Sequence, residues 1–147
     1  MYVALASPSE DDRYGTTKLH VDATDAINIL TWTSGTPSDS AAIWDIIPYP
    51  ALPALREFLR NSSIYTGVGD PIHDQEVFLT NETIQRFIVQ YKFPIWRIYQ
   101  RLGDAVFIPA GCAHQVSMHH YLWKLWTSSH TLHTAGAQCP KCYQGSL

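Results

Sequence analysis

The stretch Gly15–Asn28, GTTKLHVDATDAIN, carries an imidazole and a carboxylate two residues apart, at His20 and Asp22. The β-branched and apolar residues around them mark the start of a β-strand. Strand alternation would set both side chains on one face, roughly 7 Å apart along the backbone. Burying such groups unpaired is costly, and a shared metal ion offsets that cost. A third donor is available at His114, where the apolar strand of FIPAGCAHQV enters a Pro-Ala-Gly turn and the histidine opens the returning strand. Two histidines and one carboxylate on one face of an ion leave three positions open, the donor set of non-haem iron(II) oxygenases. Zinc is the less favoured metal, because the set contains no thiolate. Taken singly, each motif has an ordinary reading. An H-x-D pair usually sits at a surface or turn, and a lone histidine is usually a hydrogen-bonded structural residue. Only their combination points to a metal.

Three more residues fit a second ligand beside that ion. Thr17, three before His20, offers a hydroxyl to an anion. Lys124 lies ten residues after His114 and shares its face along a continuous strand pair, with Leu122, Trp123, Leu125 and Trp126 around it. A buried ammonium requires an anion. A dicarboxylate such as 2-oxoglutarate meets that need, with one end on the iron and the far carboxylate on Lys124. Asn28 has the parity of His20 and Asp22 and can add a hydrogen bond. The competing reading of Lys124 is an edge-strand lysine that carries its charge out to water.

The elements that must position these groups are short. LHVDATDAINILTWT reads as one strand from Leu19, and the turn-rich TSGTPSDSA ends it. AIWDIIPY is a second strand. PALPALREFLRN has helical spacing, with Leu52, Leu55 and Leu59 on one face. Thr80 or Asn81 caps a second helix, ETIQRFIVQY, which Pro94 ends. WRIYQ, AVFIP, HQVSM and HYLWKLW follow as four strands in close succession. Strands at both ends with helices between them predict a mainly β sandwich or barrel with an α-helical insertion.

Composition limits the alternatives. A chain of 147 residues makes one domain with a sizeable core. Its net charge of −3 gives no direct signal for nucleic acid. No apolar run approaches a membrane span. MYVALASPSEDD lacks the basic and long apolar segments of a signal peptide. Three cysteines, Cys112, Cys139 and Cys142, make no disulfide framework, so a reducing, intracellular compartment is expected.

GTTKLHVDATDAINI, DPIHDQEVF and above all LGDAVFIPAGCAHQV resemble the JmjC domain of histone lysine demethylases. The resemblance is to the subfamily acting on the ninth lysine of histone three, which includes the hairless corepressor. The opening Met-Tyr, the second helix and Trp96 also match in order, so the resemblance covers residues 1–127. It implies a double-stranded β-helix, the cupin-like jelly roll, that uses Fe(II), 2-oxoglutarate and O₂. His20, Asp22 and His114 would be the iron ligands and catalytic centre, and Thr17, Asn28 and Lys124 would hold the cosubstrate. The implied reaction hydroxylates an N-methyl group, which leaves as formaldehyde while 2-oxoglutarate becomes succinate. The implied partner is a methylated histone tail or chromatin, and the implied location is the nucleus. Family catalytic domains carry further strands upstream, so a truncated, incomplete jelly roll is also expected. A JmjC protein hydroxylase and an inactive chromatin-binding or regulatory module are the alternatives.

Residues 128–147 read as a weakly patterned, disordered tail. His130, His133, Cys139 and Cys142 could form a zinc site there, although their spacing is tighter than that of ordinary fingers. His73, His119 and His120 are read as structural, Cys112 as a small turn residue, and Asp70, Asp74 and Glu76 as a solvated acidic loop.

Overall fold

The computed structural model describes residues 2–4, 16–120, 122–129 and 144–146. The strands are β1 (Tyr2–Ala4), β2 (Thr16–Val21), β3 (Asp25–Thr33), β4 (Ala42–Ile47), β5 (Trp96–Gln100), β6 (Asp104–Ile108), β7 (Ala113–Met118), β8 (Leu122–Ser129) and β9 (Gln144–Ser146). They form two antiparallel sheets, one of five strands in the order β1-β8-β3-β6-β9 and one of four in the order β2-β7-β4-β5. This is a cupin-like jelly roll. Helices α1 (Leu52–Asn61) and α2 (Asn81–Tyr91) are the insertion between β4 and β5.

Strand alternation divides the apolar residues between two cores. Leu30, Trp44, Ile46, Ile108 and Val116 point between the sheets. Leu19 and Ile47 point the other way, off the four-stranded sheet, where Leu55, Phe58 and Leu59 of α1 and Phe87 of α2 cover them. Each fully buried leucine or phenylalanine contributes about 1.5–3 kcal/mol. The Phe58 and Phe87 rings meet edge to face at 5.5 Å. Pro53 in the first turn starts α1 without the loss of a helical hydrogen bond. Thr80 caps α2 by accepting from the Thr83 amide, and Lys92 closes the helix in the left-handed region two residues before Pro94.

A polar row crosses this outer face. Arg97, Asp45 and Gln115 lie side by side on β5, β4 and β7. Arg97 donates twice to the buried Asp45 carboxylate, at 2.7 and 2.9 Å. Gln115 donates to Asp45 and to the Leu79 carbonyl, and accepts from the Leu79 amide. The row thereby fastens the segment before α2 to the strand that carries His114.

The single strand expected from Leu19 to Thr33 is two strands. The chain turns at Asp22-Ala23-Thr24 and passes from the smaller sheet to the larger. β8 continues past the 127/128 boundary drawn from the sequence, and Gln144–Ser146 pairs with β6. The suggested zinc residues His130, His133, Cys139 and Cys142 lie outside the described residues. Among the described residues, no helix is long and apolar enough to cross a membrane.

Candidate metal centre

β2 and β7 pair so that His20 lies opposite His114. Regular alternation would turn Thr17 away from His20, because the two are three residues apart. A register shift between Thr17 and His20 inserts an extra residue on β2, with Thr17 opposite Val116. This bulge lets Thr17 and His20 face the same cavity while Leu19 stays in the outer core. Asp22 lies just beyond the end of β2, so it is brought alongside His20 by the turn and not by strand parity.

The β6–β7 turn delivers His114. Asp25 accepts from the Ala110 amide at 2.7 Å, and the Asp22 carbonyl accepts from Gly111 at 3.0 Å. Gly111 has φ +77, and a Cβ there would meet the Tyr49 ring at 3.0 Å. The turn thus needs glycine for both backbone and space.

The donor atoms of His20, Asp22 and His114 all lie within 4.8 Å of one another. Asp22 stands 4.0 Å from Nε2 of His20 and 3.8 Å from Nε2 of His114. Metal–ligand bonds of about 2.1 Å place neighbouring donors about 3 Å apart, so a modest inward movement completes the set. Both imidazoles are oriented locally. Nδ1 of His20 lies 2.7 Å from the Lys18 carbonyl, and Nδ1 of His114 lies 3.2 Å from that of Cys112. Donation to these carbonyls from Nδ1 leaves each Nε2 lone pair directed at the shared centre. Burial, and next the charge of His20, push the His114 imidazolium down to about 4, so His114 is neutral and ready to ligate at neutral pH.

A cavity of about 280 Å³ opens from this centre. Thr17, Asn28 and Lys124 line it, as the sequence suggested, but the route differs. β7 belongs to one sheet and β8 to the other, and β3 also lies opposite β2. Asn28 and Lys124 therefore reach across the sandwich, and their parity relative to His20 and His114 along one continuous strand is not what places them. Lys124 is only 4% exposed, and burial pushes its ammonium down to about 7. Its Nζ sits 4.8 Å from the centroid of the Trp44 ring.

Sequence reasoning missed Trp44, Gln100 and the apolar lining. Trp44 stacks on His114 with centroids 6.1 Å apart and rings 27° from parallel. Its parity on β4 with Ile46 was the available signal. His73 and His119 are exposed, and neither they nor His120 line the cavity. Asp70 is tied to Arg56 at 2.6 Å and Asp74 accepts from Tyr65, so these two acids of the loop are internally engaged.

A jelly roll with a His-Asp-His centre at one end of a polar-tipped cavity is the architecture of a JmjC protein. The chain belongs to that family, whose description, "JmjC domain, hydroxylase", matches residues 15–125. Among curated proteins it is similar to lysine-specific demethylase JMJ26 of Arabidopsis thaliana, 43% identical over 86 residues, covering 52% of this chain and 10% of that protein. It is also similar to lysine-specific demethylase 3A of Mus musculus, 33% identical over 143 residues, covering 73% of this chain and 11% of the relative. Lysine-specific demethylase JMJ29 of Arabidopsis thaliana is 31% identical over 177 residues, covering 78% and 20%. The chain thus spans a tenth to a fifth of the length of these relatives.

Proposed function

We propose that residues 1–127 of this chain form part of the catalytic core of an Fe(II)- and 2-oxoglutarate-dependent dioxygenase that demethylates histone lysines in the nucleus. The observation that carries the reading is the placement of His20, Asp22 and His114 at one end of a cavity into which a buried lysine projects. His20, Asp22 and His114 would hold iron, with Asp22 contributing the negative charge and the carbonyls of Lys18 and Cys112 fixing both rings. Lys124 would meet the far carboxylate of 2-oxoglutarate, and Thr17 and Asn28 would give it hydrogen bonds. When bound, iron with 2-oxoglutarate and O₂ supplies the oxidising power to hydroxylate an N-methyl carbon, yielding formaldehyde, succinate and CO₂.

Similarity to lysine-specific demethylase 3A supports a methylated histone tail as substrate, and the subfamily acting on the ninth lysine of histone three as the place of this chain. The family description as a hydroxylase favours side-chain hydroxylation as the second reading. Anaerobic titration with Fe(II) and 2-oxoglutarate tests the site by its metal-to-ligand charge-transfer band. The band should form in the wild type and vanish in His114→Ala; a band that persists undiminished in the variant refutes the ligand assignment. Formaldehyde released from methylated histone-tail peptides then identifies demethylation, whereas a peptide gaining one oxygen without formaldehyde identifies hydroxylation.

A further inference from the structure

We propose that Tyr49 is a substrate-recognition residue whose exposed ring takes a lysine or arginine side chain flanking the methylated lysine; the inference rests on the demethylase reading. Strand pairing places the residue. On one side of β7, Ile46 and Ile47 of β4 lie opposite His114 and Ala113. On the other side, His20 and Val21 of β2 lie opposite the same two residues. β4 and β2 both end at these pairs, so Tyr49 and Asp22 reach the β6–β7 turn from opposite sides. The Asp22 carbonyl accepts from the Gly111 amide, and a Cβ on Gly111 would meet Cδ2 of Tyr49 at 3.0 Å. The ring therefore rests on the turn that delivers His114, across Gly111 from a residue of the metal centre.

Tyr49 is 65% exposed, more than any other described tryptophan, tyrosine or phenylalanine. Its mount is nevertheless rigid. Pro48 and Pro50 restrict the backbone on either side, and the Ala51 amide donates to the Pro48 carbonyl at 2.9 Å. Ile47 and Ala51, which bracket this turn, are fully buried. An aromatic ring held on such a mount loses little freedom when a ligand settles on it. The three segments that meet here, residues 22–25, 47–51 and 109–112, contain the carboxylates of Asp22 and Asp25 and no basic side chain. Tyr49 is their only aromatic, and its ring face is electron-rich. Charge and ring together favour a basic peptide, and a histone tail is rich in lysine and arginine. With the methylated lysine directed at the metal centre, a flanking basic side chain would come down on the Tyr49 face. An exposed cation–π contact strengthens binding by about two- to fivefold.

The test is fluorescence anisotropy of labelled methyl-lysine peptides with the protein loaded with redox-inert Mn(II) and 2-oxoglutarate under argon. Two matched pairs of peptides carry arginine, or its uncharged isostere citrulline, immediately before or immediately after the methylated lysine. In at least one pair the wild type should bind the arginine peptide about two- to fivefold more tightly than the citrulline peptide. Tyr49→Leu should bring that ratio close to one, whereas Tyr49→Phe keeps the ring and should retain it. A residue that merely supported the turn would, when replaced, weaken both peptides of a pair alike and leave the ratio in place. A ratio that survives Tyr49→Leu or is lost in Tyr49→Phe overturns the role of the Tyr49 ring. Equal affinities within both pairs for the wild type overturn it as well, with no variant required to fold. Failure of the wild type to bind any of the four peptides overturns the demethylase reading beneath it.

Discussion

Replacing Lys124 with methionine should make the ligand-free protein more stable while removing its affinity for dicarboxylates. Methionine retains the length and most of the volume of the lysine stem but has no charge to desolvate. In the folded chain burial pushes the Lys124 ammonium from 10.5 down to about 7. Between those values the unfolded chain binds more protons than the folded one, so stability rises with pH across that window. Linkage gives the cost of the buried ammonium as about 4 kcal/mol at pH 7, about 2 kcal/mol at pH 9, and nearly nothing by pH 10.5. The Trp44 face returns about 1–2 kcal/mol of this through cation–π attraction. A net gain of about 2–3 kcal/mol at pH 7 follows, equivalent to a rise of about 5–10 °C in Tm for a chain of this size.

Urea denaturation of the metal-free wild type and Lys124→Met, repeated from pH 6.5 to 10, measures the difference directly. The difference should shrink as pH rises, because only the wild type is relieved of a buried charge. Other groups titrate in this range, but they are common to both proteins and cancel. A variant less stable than the wild type at pH 7, or a difference independent of pH, would refute the view of Lys124 as an unpaired buried cation awaiting an anion.

Other substitutions address the scaffold. Asp45→Ala strips Arg97 and Gln115 of their shared acceptor and should cost about 3 kcal/mol in chemical denaturation. Combination with Arg97→Met should then cost less than the sum of the single changes, as a double-mutant cycle would show. Gly111→Ala and Gly103→Ala both place a side chain at positive φ, each at about 1 kcal/mol, but only Gly111 adds the Tyr49 clash. Gly111→Ala should therefore be the more destabilising of the two by about 1 kcal/mol in matched thermal melts. Asp25→Ala leaves the Ala110 amide without its acceptor and loosens the turn that delivers His114. Mn(II) affinity should fall about 10-fold, as it does when groups supporting a metal ligand are removed, while far-ultraviolet circular dichroism stays unchanged.

The ligand candidates were legible because their chemistry is local to the chain. An H-x-D pair and a histidine after a Pro-Ala-Gly turn announce donors whatever the surrounding fold, and the helices α1 and α2 follow from leucine spacing and the Thr80 cap. Their geometry was less legible. Parity along one strand cannot show that the chain changes sheets at Asp22-Ala23-Thr24, nor that a bulge on β2 restores Thr17 to the face of His20. The carbonyls of Lys18 and Cys112, which orient the two histidines, are invisible to residue type because every residue has one. Trp44 was not singled out, since its significance lies in touching two polar residues distant in sequence.

The division of the site between the sheets explains why its polar groups can coexist with a packed core. His20, Asp22 and His114 come from β2, β7 and the turn after β2, whereas Asn28 and Lys124 come from the facing sheet. A ligand reaching from the metal centre to Lys124 would span the sandwich and replace, with ionic and hydrogen-bonded contacts, apolar packing that the cavity forgoes. Gln100 makes the same crossing permanently, joining Trp44 to Asn28. Among the described residues, Gln100 is thus a hydrogen-bonded tie between the walls, and Lys124 is a buried cation for which a ligand would provide a second tie. Ligand binding should stabilise the folded chain through that second tie, and Lys124→Met, already relieved of its buried charge, should gain almost nothing from the same ligand.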